Sequence, residues 1–166
     1  MKKALLLITA VAISLSFMPL PAGNSNNCDC MFSVGSMEEA LKAPETVKCL
    51  DLSMQKLKVV PADIVKLTNL ECLDLSFNIF PTLPESMTAL TKLKYINLDG
   101  TRYMAKMPAV LAKMPSLKRV DVKDHPEWSA ATKAAATALL PNVLVVHEEK
   151  VSNEVEIAIP GKDSIK

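Results

Sequence analysis

The sequence predicts an α/β solenoid. This is a stack of coils whose short strands run parallel, with a helical cap before it and a helix and strand after it. Three observations predict it. The chain superimposes on itself in four segments that begin at Val47, Leu70, Leu93 and Leu117, in steps of 23, 23 and 24 residues. Each segment carries apolar residues two apart, at Leu50/Leu52, Leu73/Leu75, Ile96/Leu98 and Val120/Val122, which places them on one face of a short strand. Pro61, Pro84 and Pro108 each precede an apolar pair three apart, at Ile64/Leu67, Met87/Leu90 and Leu111/Met114. That spacing suits one or two helical turns with Pro at the entry. A single unit cannot bury its apolar edge, but stacked units can, and their strands then form a parallel sheet.

The elements follow in chain order. Residues 1–22, "MKKALLLITAVAISLSFMPLPA", have two lysines, an apolar run to about Phe17 and a small, proline-containing end. This is the layout of a secretory signal peptide of bacterial type, with cleavage near Leu20-Pro21-Ala22. The apolar run is short for a membrane span of about 20 residues, so no span is expected once the signal is removed. A lipid anchor on Cys28 is disfavoured, because Ser25-Asn26-Asn27 lacks the Leu and small residue of a lipoprotein signal. The expected location is exported: periplasmic, cell-surface or secreted.

Residues 23–46 form an N-terminal cap. Within it "SMEEALKAPETV" offers Ser36 as an N-cap with Glu39 three residues on, and a short helix ended near Pro44. The repeats occupy residues 47–125. Residues 126–166 form a C-terminal cap and tail: an Ala-rich helix from about Pro126 to Leu140, a final strand in "NVLVVHEE", and a further strand in "NEVEIAIP", where Val155, Ile157 and Ile159 alternate.

Composition narrows the function classes. The chain has 166 residues and only 4% aromatics, so the core is aliphatic. Net charge is +1, and 17 basic against 18 acidic residues remain after loss of residues 1–22, which supplies no electrostatic footprint for nucleic acid. Four glycines against eleven prolines argue against phosphate-cradling glycine loops. His125 in "DHPEW" and His147 in "VVHEEK" belong to no metalloprotease or nucleophile-elbow motif. A Cys–His catalytic pair would need Cys72 to meet His125, three strands away. No enzyme activity, cofactor or metal is expected. His125 is assigned a turn role, and Trp128 is assigned to cover the end of the core.

The segments "LECLDLSFNIFPTLPESMTAL" and their neighbours resemble leucine-rich repeats of the typical 23-residue class, L-x-x-L-x-L-x-x-N-x-L-x-x-L-P-x-x-I-x-x-L-x-x, over about residues 47 to 125. Only Asn78 fills the Asn position; Gln55, Thr101 and His125 occupy it elsewhere. The resemblance implies a short curved horseshoe with the parallel strands on its concave face, and variable strand residues that face that surface in three columns. These are Cys49, Cys72, Tyr95 and Arg119; then Asp51, Asp74, Asn97 and Asp121; then Ser53, Ser76, Asp99 and Lys123. Neighbouring strands lie about 4.8 Å apart.

The candidate partner-binding residues are therefore Asp51, Asp74, Tyr95, Asn97, Asp99, Arg119 and Asp121. Tyr95 and Arg119 lead, because such side chains dominate hot spots. The acidic column reads either as a surface for basic peptides or a weakly held cation, or as solvated aspartates. The second reading is preferred, and it implies that Asp74→Ala is nearly silent for stability.

Export would bring Cys28, Cys30, Cys49 and Cys72 into an oxidising compartment as candidate disulfide partners. A Cys49–Cys72 cross-strand bond and a bond from the "CDC" cap to Cys49 both stay open. The implied function is a non-enzymatic protein- or peptide-binding module. The alternative is a structural or assembly protein that packs through a solenoid end or a C-terminal edge strand.

Overall fold

A computed structural model describes residues 33–148. Residues 1–32 and 149–166 lie outside them, and with them the signal peptide, Cys28, Cys30 and the "NEVEIAIP" segment. Five strands of three residues each form one parallel sheet in sequence order: β1 (Cys49–Asp51), β2 (Cys72–Asp74), β3 (Tyr95–Asn97), β4 (Arg119–Asp121) and β5 (Leu144–Val146). Cys49, Cys72, Tyr95, Arg119 and Leu144 lie in register, so successive coils differ by 23, 23, 24 and 25 residues. The sheet thus follows the sequence repeat and extends it by one coil.

Leu50, Leu73, Ile96 and Val120 form one buried row, and Leu52, Leu75, Leu98 and Val122 form the next. The convex side is built from five-residue 3₁₀ turns at Ala62–Lys66, Glu85–Ala89 and Ala109–Lys113. Each is preceded by extended Pro61, Pro84 or Pro108 and seals the core with Ile64, Met87, or Val110 and Leu111. The 3₁₀ form has a physical reason. A 3₁₀ turn rises about 2.0 Å per residue against about 1.5 Å in an α-helix, so it spans the coil's outer side with fewer residues.

The segments on either side of the repeats pack onto the stack. Val34 pairs with Leu50 on the outer edge of β1, donating to Cys49 O at 3.0 Å and accepting from Asp51 N at 2.8 Å. Helix α1 (Met37–Ala40) begins at Ser36, whose Oγ accepts from Glu39 N at 3.2 Å, and it buries Ala40. Helix α2 (Ala130–Leu139) starts four residues later than the sequence suggests. The reason is Ser129, whose Oγ accepts from Thr132 N at 3.1 Å and caps the helix there. Residues 125–128 instead make a turn closed by Trp128 N to His125 O at 3.0 Å. Trp128 is 4% exposed, donates its indole N–H to Met104 O at 2.5 Å, and covers the end of the core as expected.

The Asn position explains how neighbouring coils are tied. Asn78 is fully buried; its Nδ2 donates to Leu52 O at 2.9 Å and Leu75 O at 2.8 Å, and its Oδ1 accepts from Leu57 N at 2.9 Å. His125 performs the equivalent task two coils later, with Nε2 2.9 Å from Leu98 O and its ring stacked on Trp128. Gln55 reaches Gly35 O at 3.1 Å instead. Thr101 is fully buried at the same position, and its Oγ1 has no hydrogen-bond partner. Thr101→Asn should therefore raise stability by about 1 kcal/mol, one net buried hydrogen bond. A urea midpoint that stays put or falls would count against this reading of the ladder.

Beyond the strands the ladder continues through Met54 N to Ser76 O, Phe77 N to Asp99 O and Gly100 N to Lys123 O, at 2.8–3.0 Å. The turn that follows is left-handed in the first four coils, with φ of 58°, 55°, 57° and 56° at Met54, Phe77, Gly100 and Asp124. Lys56 and Tyr103 are left-handed as well. For a residue with a Cβ this conformation costs roughly 1–2 kcal/mol. Glycine is required only at position 100. A Cβ there would sit 2.6 Å from the Phe77 ring, which lies across the glycine.

Candidate functional site

The concave face is the product of strand register. In β1 to β4 the residues on either side of the central apolar residue turn away from the core, and register stacks them into columns. The first column runs Cys49, Cys72, Tyr95, Arg119 and then Leu144; the second runs Asp51, Asp74, Asn97, Asp121 and then Val146. The fifth member of each column was not assigned from the sequence, because "NVLVVHEE" lacks the repeat spacing. Leu144 is 59% exposed and puts an apolar side chain beside Arg119.

The solvated reading of the aspartates does not hold. Asp51 Oδ1 accepts from Ser53 N at 2.9 Å, and Asp74 Oδ1 accepts from Ser76 N at 2.8 Å. Asn97 Oδ1 accepts from Asp99 N at 3.0 Å, and its Nδ2 donates to Asp74 Oδ2 at 3.0 Å. The second column thus terminates the first three strands by capping the backbone two residues on. The cue was present in the sequence as D-x-S, D-x-S and N-x-D at the coil period. Asp74→Ala is accordingly not silent. It should cost about 1 kcal/mol, with Asp74→Asn nearer the parent, as read from denaturation midpoints.

Asp121 departs from this pattern and organises the face. It is 2% exposed, the most buried of the column's carboxylates. Arg119 grips it with Nε on Oδ1 at 2.6 Å and Nη2 on Oδ2 at 2.9 Å, and Tyr95 donates its hydroxyl to Oδ2 at 3.2 Å. The Arg119 guanidinium also lies 5.8 Å from the Tyr95 ring centroid. Burial, reinforced by the Asp121 charge, pushes the Tyr95 hydroxyl far above the ordinary tyrosine value, so it remains a donor. The hydrogen bonds to Asp121 raise Arg119 in turn.

In the third column Asp99 is 8% exposed, accepts from Lys123 N at 2.6 Å and pairs with Lys123 Nζ at 3.4 Å. Burial raises its carboxyl above the usual range, and the Lys123 backbone N–H opposes this. The structure therefore brings Tyr95, Arg119 and Asp121 into one cluster and Asp74 with Asn97 into another. Asp51 stays with its own turn.

Cys49 and Cys72 face each other in register on β1 and β2, each 7% exposed, and neither is a free thiol. Cys28 and Cys30 lie outside the described residues.

At the C-terminal end, a depression is lined by Lys123, Asp124, His147 and Glu148. His147 places Nε2 3.1 Å from Thr137 Oγ1, while its Nδ1 is sequestered without a partner. Glu148 pairs with Lys133 at 2.8 Å. Burial first, and then the Lys133 ammonium, lowers the imidazole below its ordinary value. The unfolded chain thus binds the proton more readily, so this group adds stability at higher pH. That contribution fades as pH falls through the ordinary imidazole value toward the folded one. His147→Gln should flatten this part of a melting-temperature profile between pH 5 and 8.

The comparisons with known proteins can be set beside this geometry. The coils share a short parallel strand, three of them carry a proline-led turn on the convex side, and the buried Asn78 and His125 tie neighbouring coils. The fold is a leucine-rich repeat solenoid. A leucine-rich repeat protein of Leptospira interrogans is among the similar solved structures, at 23% identity and a TM-score of 0.41; the match covers 56% of this chain and 29% of that one. No protein-family model matches the chain, and no curated protein matches it. The solenoid assignment rests on the coil geometry itself.

Proposed function

We propose that this leucine-rich repeat protein is a non-enzymatic binding module that takes a protein or peptide on its concave face, in the cell envelope or outside the cell. One observation carries the reading: Tyr95 and Arg119 are held side by side by a buried carboxylate. Aromatic and arginine side chains dominate hot spots, and fixing their rotamers beforehand lowers the entropy cost of binding. Leu144 and Val146 extend the patch with apolar surface. With five short strands the footprint is about 800 Å² per partner or less. The signal-like residues 1–22 support export, and an oxidising compartment fits the absence of free thiols at Cys49 and Cys72.

The test is a crosslinking capture from the native envelope fraction, comparing the mature protein with a Tyr95→Ala/Arg119→Ala variant of unchanged circular dichroism. The expected result is one partner captured by the parent and lost by the variant. Equal capture by both would remove the concave face from the interaction. A second reading, self-assembly, is favoured by β5 alone: it ends the described sheet, and its Leu144 is exposed. It predicts a mass by light scattering that rises with concentration and reverts in Leu144→Lys.

A further inference from the structure

The strands are parallel and in register, so every segment leaving a strand emerges on the same flank of the solenoid. For the first three coils this flank comprises residues 52–61, 75–84 and 98–108. Five large apolar side chains are exposed among the described residues, and four of them stand here: Met54 at 68%, Val59 at 75%, Phe77 at 45% and Tyr103 at 73%. Met54, Val59 and Tyr103 project from the surface, while the Phe77 ring lies across Gly100 with one face open to solvent. Three of the four, Met54, Phe77 and Tyr103, sit on left-handed backbone. At Met54 and Phe77 this is the turn that each of the first four coils repeats.

The charges on the same flank have one sign. Lys56, Lys58, Arg102 and Lys106 are exposed. The one carboxylate in those three stretches, Asp99, is buried against Lys123. Exposed acids stand at the two ends of the stack, at Glu38 and Glu39 in the segment that leaves Val34 and at Asp124 and Glu127 in the fourth coil.

We infer that this flank is a peripheral docking surface for an anionic phospholipid bilayer. Met54, Val59, Phe77 and Tyr103 would enter the headgroup layer, with the four basic residues meeting lipid phosphates. Projecting apolar tips ringed by lysine and arginine suit an interface with a wet polar layer over an apolar one. The aromatic hydroxyl of Tyr103 suits the headgroup level, and cationic side chains are drawn to an anionic leaflet. An acidic protein partner would satisfy the charges but leave separate tips without a complementary cleft. The docking is peripheral, since no helix among the described residues is long and apolar enough to cross a membrane. It uses a face other than the concave one and does not depend on the binding role proposed above.

Vesicle flotation of the mature protein tests this. Vesicles of phosphatidylcholine alone are compared with vesicles of phosphatidylcholine and phosphatidylglycerol. The parent should float with the second set and not the first, less so as salt is raised. Val59→Ser/Tyr103→Ser and Lys56→Glu/Lys58→Glu should each reduce binding roughly ten-fold or more. These four side chains are exposed, so circular dichroism melts should match the parent, and Phe77 is left in place because it packs on Gly100. Leu144→Ser, at the edge of the sheet, should float like the parent. Absence of the parent from anionic vesicles overturns the proposal, as does binding that neither double variant weakens. Binding of soluble poly-glutamate without flotation would also overturn it and assign the flank to an acidic protein.

Discussion

Asp121→Ala is expected to lower the free energy of unfolding by about 3 kcal/mol, far more than any other substitution in its column. The carboxylate is 2% exposed and is the shared acceptor of Tyr95 and both forks of Arg119. Removing one partner of a buried pair leaves the other charge uncompensated, which costs roughly 3–5 kcal/mol. The lower end applies because the Arg119 side chain is 19% exposed and regains some water. Tyr95→Phe removes only the hydroxyl and should cost about 1 kcal/mol. Urea denaturation at neutral pH gives both numbers. If Asp121→Ala costs no more than Asp51→Ala, the cluster does not hold the concave face together. The same variant should weaken partner capture even at temperatures where it is folded, because Tyr95 and Arg119 lose their common anchor.

Leu73→Ala should be the other severe loss, at about 2–5 kcal/mol. Leu73 is fully buried at the centre of β2, between Leu50 and Ile96 of the adjacent strands. A solenoid coil touches only its neighbours, so the cavity left there cannot be closed by rearranging a larger core. Because Leu73 lies in an interior coil packed on both sides, the loss should reach the coils before and after it in a single cooperative transition. Leu144→Ala, on the last strand of the described sheet and 59% exposed, makes the contrast and should cost well under 1 kcal/mol. Comparable losses for the two would mean that the inward and outward positions of the strands are misassigned.

Much of the architecture was legible because repetition converts weak local signals into strong ones. Leu50/Leu52 by itself could belong to many strands; the same pair at Leu73/Leu75 and Ile96/Leu98 fixes period, register and inward face together. Ser36 as a helix cap, Trp128 as a lid on the core and His125 in the Asn position were readable from neighbours in sequence. The start of α2 was not legible because Pro126 and Ser129 are both plausible at a helix start; Ser129 caps the helix, and residues 125–128 turn to seat the Trp128 indole on Met104 O. The aspartate column was misread because D-x-S was taken as a surface formula, when its spacing is that of a side chain capping its own turn.

By itself the sequence determined the coil, its handful of inward leucines and the columns that face outward, since these depend on periods of two, three and 23 that any stretch of chain carries within itself. The tertiary structure decided the rest. Asp121 is buried while Asp51 is not, although both sit at the same point of the repeat, because Tyr95 and Arg119 come from the adjacent column and close over one of them. Met54, Val59, Phe77 and Tyr103 become one surface only when parallel strands send three separate loops to the same side. Burial and neighbourhood are properties of stacked coils, and a linear repeat specifies that coils stack without specifying which side chains then meet.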